Sequence, residues 1–109
     1  MTKFLVLYCA PASAREQMAK ATPEQAKAGM DLWMAWSRGV GSALADPGAP
    51  VALAAVLGNA GAAASKIGGY NVLQAASLDA AKKLLDGHPH FHTPGGWIEV
   101  FELIKLPGM

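Results

Sequence analysis

The most constraining feature of the sequence is an early segment that is apolar on both of its alternating faces. Residues 3–9 (Lys-Phe-Leu-Val-Leu-Tyr-Cys) are rich in strand-forming residues and are followed by Ala10-Pro11, so they predict a first strand. Successive side chains of a strand point to opposite faces. Both faces of this strand therefore need cover, which places it inside a sheet that is packed on two sides.

Helical signals follow this strand. Ser13-Ala-Arg-Glu16 matches a capping box, and Thr22-Pro23-Glu24-Gln25 is a better one, with proline at the first helical position. From there to about Leu44 apolar residues recur at helical spacing. The main apolar stripe consists of Ala26, Met30, Trp33, Met34, Val40 and Leu44, and Leu32, Trp36 and Ala43 widen it. This arc is wider than contact with one sheet face requires, so we expect a second contact with a partner chain or a pocket.

The rest of the chain predicts three more strands and one more helix. After a turn at Asp46-Pro47-Gly48, the predicted elements are a strand over Val51–Leu57, a mobile glycine-rich connection over 58–69, a strand over Tyr70–Ala75, a helix over 77–86 with Ser77 as N-cap, and a strand over Trp97–Leu106. The order strand, helix, strand, strand, helix, strand predicts one α+β domain over residues 1–109. We expect a ferredoxin-like βαββαβ fold, with both helices on one face of a four-stranded antiparallel sheet.

The open face of that sheet predicts a homodimer. The chain of 109 residues is 52% hydrophobic and only 16% charged, and a small domain has much surface for its volume. The first, second and fourth predicted strands are apolar on both faces, whereas the helices cover one face only. A second copy of the same sheet is the simplest cover for the other.

Composition also excludes several classes of protein. The formal net charge is +1 and the basic residues are scattered, so we expect no nucleic-acid partner. No segment reaches the roughly 20 apolar residues of a membrane span, and the apolar start is too short for a secretory signal, so we expect a cytoplasmic protein. The single Cys9 rules out an internal disulfide and is predicted to be a small buried hydrophobe.

Four segments resemble the YCII-related family: Gly68-Gly-Tyr70, the Ser77-Leu-Asp-Ala-Ala helix, Gly87-His-Pro-His90 and Gly95-Gly-Trp-Ile-Glu-Val-Phe101. The resemblance covers essentially the whole chain and implies a dimeric α+β barrel, in which two ferredoxin-like sheets pack face to face. Some family members have a proposed His–Asp pair in a cleft between the first helix and the segment after the second, and one dehydrochlorinates chlorinated aromatics. This chain has Gln25 in place of that histidine and His88-Pro89 in place of Asp-Pro. The dyad and its chemistry are therefore not carried over.

All three histidines lie in one short segment, His88-Pro-His90-Phe-His92. The proline keeps residue 88 out of the helical region, so we predict an extended segment with the three side chains on one side. Two of them could bind zinc with Glu99 or Asp86 as third ligand, or one could be a general base. A polar loop after a helix C-terminus explains the same histidines without a site. We take His88 and His90 as candidate catalytic residues, with no metal and no cofactor.

Glu99 is the candidate carboxylate partner of these histidines. It shares one face of the last strand with Trp97 and Phe101, whereas Glu102 lies on the other face. A carboxylate in a cleft needs a hydrogen-bond partner, such as a histidine.

The candidate substrate-binding residues are Trp36, Tyr70 and His92. Trp36 is placed to line a pocket, and the hydroxyl of Tyr70 needs a partner if it is buried. Core packing explains both aromatic residues as well.

Three functions fit this pattern. The first is a small enzyme that acts on a small organic substrate through His88 or His90 with Glu99. The second is a non-catalytic dimer that binds a small molecule or a partner, and the third, by analogy of fold alone, is a cofactor-free monooxygenase. A histidine and a carboxylate that converge in a pocket would favour the first, and a pocket without that pair would favour the second.

Overall fold

The first strand lies in the middle of the sheet, as its two apolar faces predict. In the computed structural model, which describes residues 1–59 and 65–108, β1 (Thr2–Cys9) pairs antiparallel with β3 (Ile67–Ala75) on one side and with β4 (Trp97–Glu102) on the other. β2 (Leu44–Pro50) pairs with the far edge of β3, which gives the strand order β2-β3-β1-β4. The predicted α+β fold with a four-stranded antiparallel sheet of ferredoxin-like order is confirmed.

Three α-helices accompany the sheet: α1 (Ala14–Lys20), α2 (Pro23–Val40) and α3 (Leu78–Leu84). Each begins at a predicted cap, because the side chain of Ser13, Thr22 or Ser77 accepts a hydrogen bond from a backbone N–H three residues later. The helix that begins after Thr22 was predicted to end near Leu44, and this predicted end is wrong. The α-helix ends at Val40, where Gly41 adopts a φ of 55° and a short 3₁₀ turn leads into β2.

The second strand differs from the prediction. Residues 51–57 form no regular secondary structure, and the strand is instead Leu44–Pro50, which includes the predicted turn Asp46-Pro47-Gly48. Two register shifts let this segment pair with β3. An edge strand tolerates proline because one of its sides makes no ladder hydrogen bonds. The apolar run 51–57 suggested a strand, but pairing with β3 decided where the strand lies.

The core lies between the sheet and the helices α2 and α3. The inward side chains are Phe4, Val6 and Tyr8 of β1, Leu73 and Ala75 of β3, Ile98 and Val100 of β4, and Ala81 and Leu85 on or just after α3. The opposite, open face carries Leu5, Leu7, Tyr70, Val72, Trp97 and Phe101, all half-buried or exposed in the single chain. β1 and β4 are thus apolar on both faces, whereas β2 is not.

Two further predictions concern the glycine-rich connection and membrane-spanning segments. Residues 60–64 of the connection 58–69, which is predicted to be mobile, lie outside the described residues. None of the helices in the described ranges combines the length and the hydropathy that a membrane-crossing segment needs.

Candidate functional site

The helix α2 sets one wall of the candidate site. Its half-buried face consists of Gly29, Trp33, Trp36, Ser37 and Val40. Met30 and Met34 are 60% and 50% exposed, so the prediction that they belong to the inward stripe is wrong. The helix is rotated so that its two tryptophans reach the core, where large aromatic rings bury more area than methionine does.

Trp36 joins α2 to α3. Its indole N–H donates a 2.8 Å hydrogen bond to the carbonyl oxygen of Leu84, at the end of α3. The ring also packs edge-on against His88, with the centroids 4.4 Å apart. Trp36 was predicted to contact a substrate, but its contacts here are structural.

His88 is fully buried in a box of aromatic rings. Its imidazole stacks on Tyr8 at a centroid distance of 4.8 Å, and Trp33 and Trp36 meet it edge-on at 4.5 and 4.4 Å. Its Nδ1 accepts a 2.9 Å hydrogen bond from the backbone N–H of His90. The side chain therefore caps the turn that follows it.

This environment keeps His88 neutral. Burial, and then the neighbouring His90, lower the pKa of the His88 imidazole from 6.5 to about 4. Because Nδ1 accepts a hydrogen bond, the proton of the neutral ring lies on Nε2. That Nε2 atom is buried and has no hydrogen-bond partner among the described residues.

The segment after His88 is a turn, so the prediction of an extended run of three histidines is wrong. Pro89–His92 forms a 3₁₀ helix that begins at the cap made by His88. The ring Nε2–H of His90 donates a 2.8 Å hydrogen bond to the carbonyl oxygen of Cys9, which holds the turn against β1. Only His88 itself is extended, as proline at the next position requires. The three side chains thus face different surroundings.

A cleft of about 400 Å³ opens between α2 and this turn. We call it the α2 cleft, and its lining residues are Gln17, Gln25, Gly29, Leu32, Trp33, Pro89, His92, Thr93 and Pro94. His92 is exposed there, and it is the one histidine of the three that lines the cleft.

Glu99 does not share this site with the histidines. It pairs with Leu7 of β1 on the open face, where its carboxylate accepts a 2.9 Å hydrogen bond from the Trp97 indole N–H and a 3.8 Å hydrogen bond from the Cys9 thiol. Burial, and then this carboxylate, raise the pKa of the Cys9 thiol. Glu99 makes no hydrogen bond to His88 or His90 within the described part of one chain. Tyr70 also lies on the open face, opposite Leu7 in β3, and is not in the α2 cleft.

A metal centre finds no support in this geometry. Within residues 1–59 and 65–108, no three histidine, cysteine, aspartate or glutamate side chains come together as metal ligands would. His88 and His90 both hydrogen-bond to backbone groups, so the ligand set of two histidines with Glu99 or Asp86 is not assembled.

Among solved structures, the fold is similar to that of the 5-chloro-2-hydroxyhydroquinone dehydrochlorinase TftG from Burkholderia phenoliruptrix AC1100, in complex with 2,5-dihydroxybenzoquinone. The similarity covers 97% of this chain and 96% of that chain, with a TM-score of 0.55 and 13% sequence identity. At this identity the similarity shows the shared fold alone. Comparison with protein-family models and with curated proteins finds no match, so membership in the YCII-related family stays a prediction.

One polar core residue near the aromatic box, Asn71, was not predicted from the sequence. Asn71 is 1% exposed on the inward face of β3, and its amide N–H donates a 2.7 Å hydrogen bond to the hydroxyl of Tyr8. The Oδ1 atom of Asn71 is buried without a hydrogen-bond partner in the described ranges. The alternation of β3 contains the signal, because Asn71 lies at the same parity as Leu73 and Ala75.

Proposed function

We propose that this protein binds a small organic molecule in the α2 cleft. The observation that carries the proposal is the mixed lining: the side chains of Gln17, Gln25, His92 and Thr93 offer hydrogen-bonding groups beside the apolar Leu32, Trp33, Pro89 and Pro94. The volume of about 400 Å³ lies in the range of ligand pockets, about 300–1,000 Å³. Apolar walls with a few polar groups suit a small molecule that is bound by shape and oriented by hydrogen bonds.

The lining favours an uncharged or weakly charged ligand. The described residues around the cleft include no aspartate, glutamate, lysine or arginine, so no fixed charge attracts an ion. The only titratable side chain in the lining is that of His92. Without a carboxylate partner for a histidine in the cleft, binding is the function that the geometry of one chain supports best.

Catalysis on the bound molecule is a second candidate. Similarity of fold to a dehydrochlorinase over nearly the whole chain favours it, and His92 provides a general acid or base at the cleft. The catalytic roles of His88, His90 and Glu99 stay predictions, and each would act only if the surroundings described above rearranged. A direct test is chloride release from 5-chloro-2-hydroxyhydroquinone by the wild-type protein and by His92→Gln. Release by the wild type and its loss in the variant would support this candidate.

We also infer that two copies pair through their open sheet faces. The support is the apolar character of that face, where Trp97 is 37% and Phe101 is 49% exposed. Leu5 and Leu7 of β1 and Val72 of β3 lie beside them on the same face and are only half-buried. The resemblance to the YCII-related family implies the same arrangement. In such a dimer the Trp97–Glu99–Cys9 contacts would lie beneath the partner's sheet.

A protein-observed NMR screen of small organic molecules tests the binding function. We expect ligands whose shifts cluster on the cleft lining, above all on the amides of Leu32, His92 and Thr93 and on the Trp33 indole. Shifts that cluster on the open sheet face, or no ligand at millimolar concentration in a library of several hundred compounds, would contradict the proposal.

A further inference from the structure

We propose that Tyr8, Asn71 and His88 form an internal subsite that holds a hydroxyl group of a small neutral molecule, reached from the α2 cleft past Trp33. All three residues lie on the helix-covered side of the sheet, and Tyr8 joins the other two. Its hydroxyl accepts the hydrogen bond from the Asn71 amide, and its ring stacks on His88. This inference rests on the proposed function, because the ligand enters through the α2 cleft.

Two atoms of this subsite lack a hydrogen-bond partner among residues 1–59 and 65–108. The Oδ1 atom of Asn71 and the Nε2 atom of His88 are both buried, and neither has a hydrogen-bond partner among the described residues. Asn71 is 1% exposed and His88 is 0% exposed. Buried polar atoms without partners cost stability, and folded proteins leave few of them. One of these residues bonds to the Tyr8 hydroxyl and the other stacks on the Tyr8 ring, and on this arrangement we base the inference that another molecule completes the hydrogen bonding.

The chemistry of the two atoms selects the partner. The His88 Nε2 carries the ring hydrogen, since Nδ1 accepts from the His90 backbone, so this atom needs an acceptor. The Asn71 Oδ1 needs a donor. A hydroxyl group supplies both a donor and an acceptor, whereas a ketone or an ether oxygen supplies only an acceptor. Burial raises the pKa of the Tyr8 phenol, so this residue is neutral too, and the subsite offers no charge to an ion.

Trp33 connects the subsite to the cleft. Its ring lines the α2 cleft and also meets Tyr8 and His88 edge-on, at centroid distances of 4.8 and 4.5 Å. The helix that carries it has no fully buried residue along its length. A ligand that enters the subsite from the cleft must displace the Trp33 ring from its edge-on contacts with Tyr8 and His88. The walls beyond it are aromatic, so a planar ring that bears a hydroxyl is the best-matched ligand.

Titration with phenol and with anisole, its methyl ether, tests the subsite by NMR on the full chain. Both probes fit the cleft, but only phenol donates a hydrogen bond. We expect phenol to bind at least about tenfold more tightly, with shifts at the His88 ring and the Trp33 indole. The difference should disappear in Tyr8→Phe and persist in Tyr70→Phe, which removes a hydroxyl from the opposite face of the sheet.

The remaining outcomes separate the subsite from the cleft. Equal affinities for phenol and anisole with shifts at His92 and Thr93 would overturn the subsite and leave the cleft function standing. An unchanged preference for phenol in Tyr8→Phe would also overturn it. Phenol shifts confined to the subsite would support it but contradict binding in the cleft, and no shift with either probe would overturn both. The comparison of the two probes needs no variant, so it remains decisive if Tyr8→Phe does not fold.

Discussion

The imidazole of His88 stacks on the phenol ring of Tyr8, with the ring centroids 4.8 Å apart and the planes at 28° to each other. This contact fastens the turn after α3 to the central strand of the sheet. Because Trp33 and Trp36 close the other sides, His88, one of the two histidines predicted as catalytic, is a neutral core residue. The exposed histidine of this segment is His92, which lines the α2 cleft.

Stability should fall in mild acid because of His88. Its pKa is about 4 in the folded chain and near 6.5 when unfolded, so between these values the unfolded state binds more protons. The stabilisation is therefore fully present above pH 6.5 and is lost as the pH falls toward 4. We expect a loss of roughly 3 kcal/mol in the free energy of unfolding over this range.

Urea denaturation at a series of pH values measures this dependence. His88→Phe should flatten the curve between pH 6.5 and 4, whereas His92→Ala, which removes an exposed histidine from the same turn, should leave it as in the wild type. A wild-type free energy of unfolding that is constant over this range would contradict a neutral, buried His88.

Trp36→Phe should destabilise the protein by about 1–2 kcal/mol. The substitution keeps an aromatic ring but removes the N–H that bonds to the Leu84 carbonyl, which leaves a half-buried acceptor unpaired. Ser37→Ala is the matched control, since its hydroxyl bonds only to the Trp33 carbonyl within the same helix and should cost less than about 0.5 kcal/mol. Equal effects of the two substitutions in urea denaturation would show that the Trp36 hydrogen bond does not join the helices.

Gly48→Ala should be strongly destabilising, by at least about 2 kcal/mol. Gly48 has a φ of 66°, and a β-carbon there would lie 1.8 Å from the carbonyl oxygen of Tyr70. Gly39→Ala on α2 meets nothing within 4 Å and should stabilise the chain by up to about 1 kcal/mol. A Gly48→Ala variant as stable as the wild type in thermal and urea unfolding would contradict the observed path of β2.

The elements that depend on local signals could be predicted from the sequence. β1 has a dense run of strand-forming residues, and the caps at Thr22 and Ser77 fix where helices begin. β2 could not be predicted in this way, because its sequence Leu-Ala-Asp-Pro-Gly-Ala-Pro has low strand propensity. Its pairing with β3 is a long-range contact, made possible by Gly48 and by the freedom of an edge strand.

The sequence brought attention to the histidine segment but did not reveal the surroundings of each histidine. The histidine segment does flank the cleft, but proximity in sequence did not show that His88 points into the core. A side-chain acceptor followed by proline at the first helical position is a signal for the 3₁₀ turn, and the extended prediction missed it. Whether the Glu99 side chain points toward the cleft or to the open face depends on the register between β1 and β4, and no local sequence pattern reveals that register.

The open sheet face should make the protein a dimer in solution. We expect sedimentation equilibrium at micromolar concentration to give twice the 11.3 kDa of one chain. Phe101→Glu, which places a charge on the open face of the edge strand β4, should give the monomer, and Met30→Glu on the exposed side of α2 should leave the dimer intact. A wild-type protein that sediments as a monomer would contradict pairing through this face.

The affinity of the tightest ligand from the NMR screen for three forms of the protein tests the central claim, binding in the α2 cleft, most directly. Leu32 lines the cleft and is 46% exposed, whereas Met34, two residues along the same helix, is 50% exposed and lies outside the lining. Isothermal titration should show at least about a tenfold loss of affinity in Leu32→Arg, because the longer side chain occupies space in the cleft. Met34→Arg should bind the ligand with wild-type affinity. Wild-type affinity in Leu32→Arg would contradict the account.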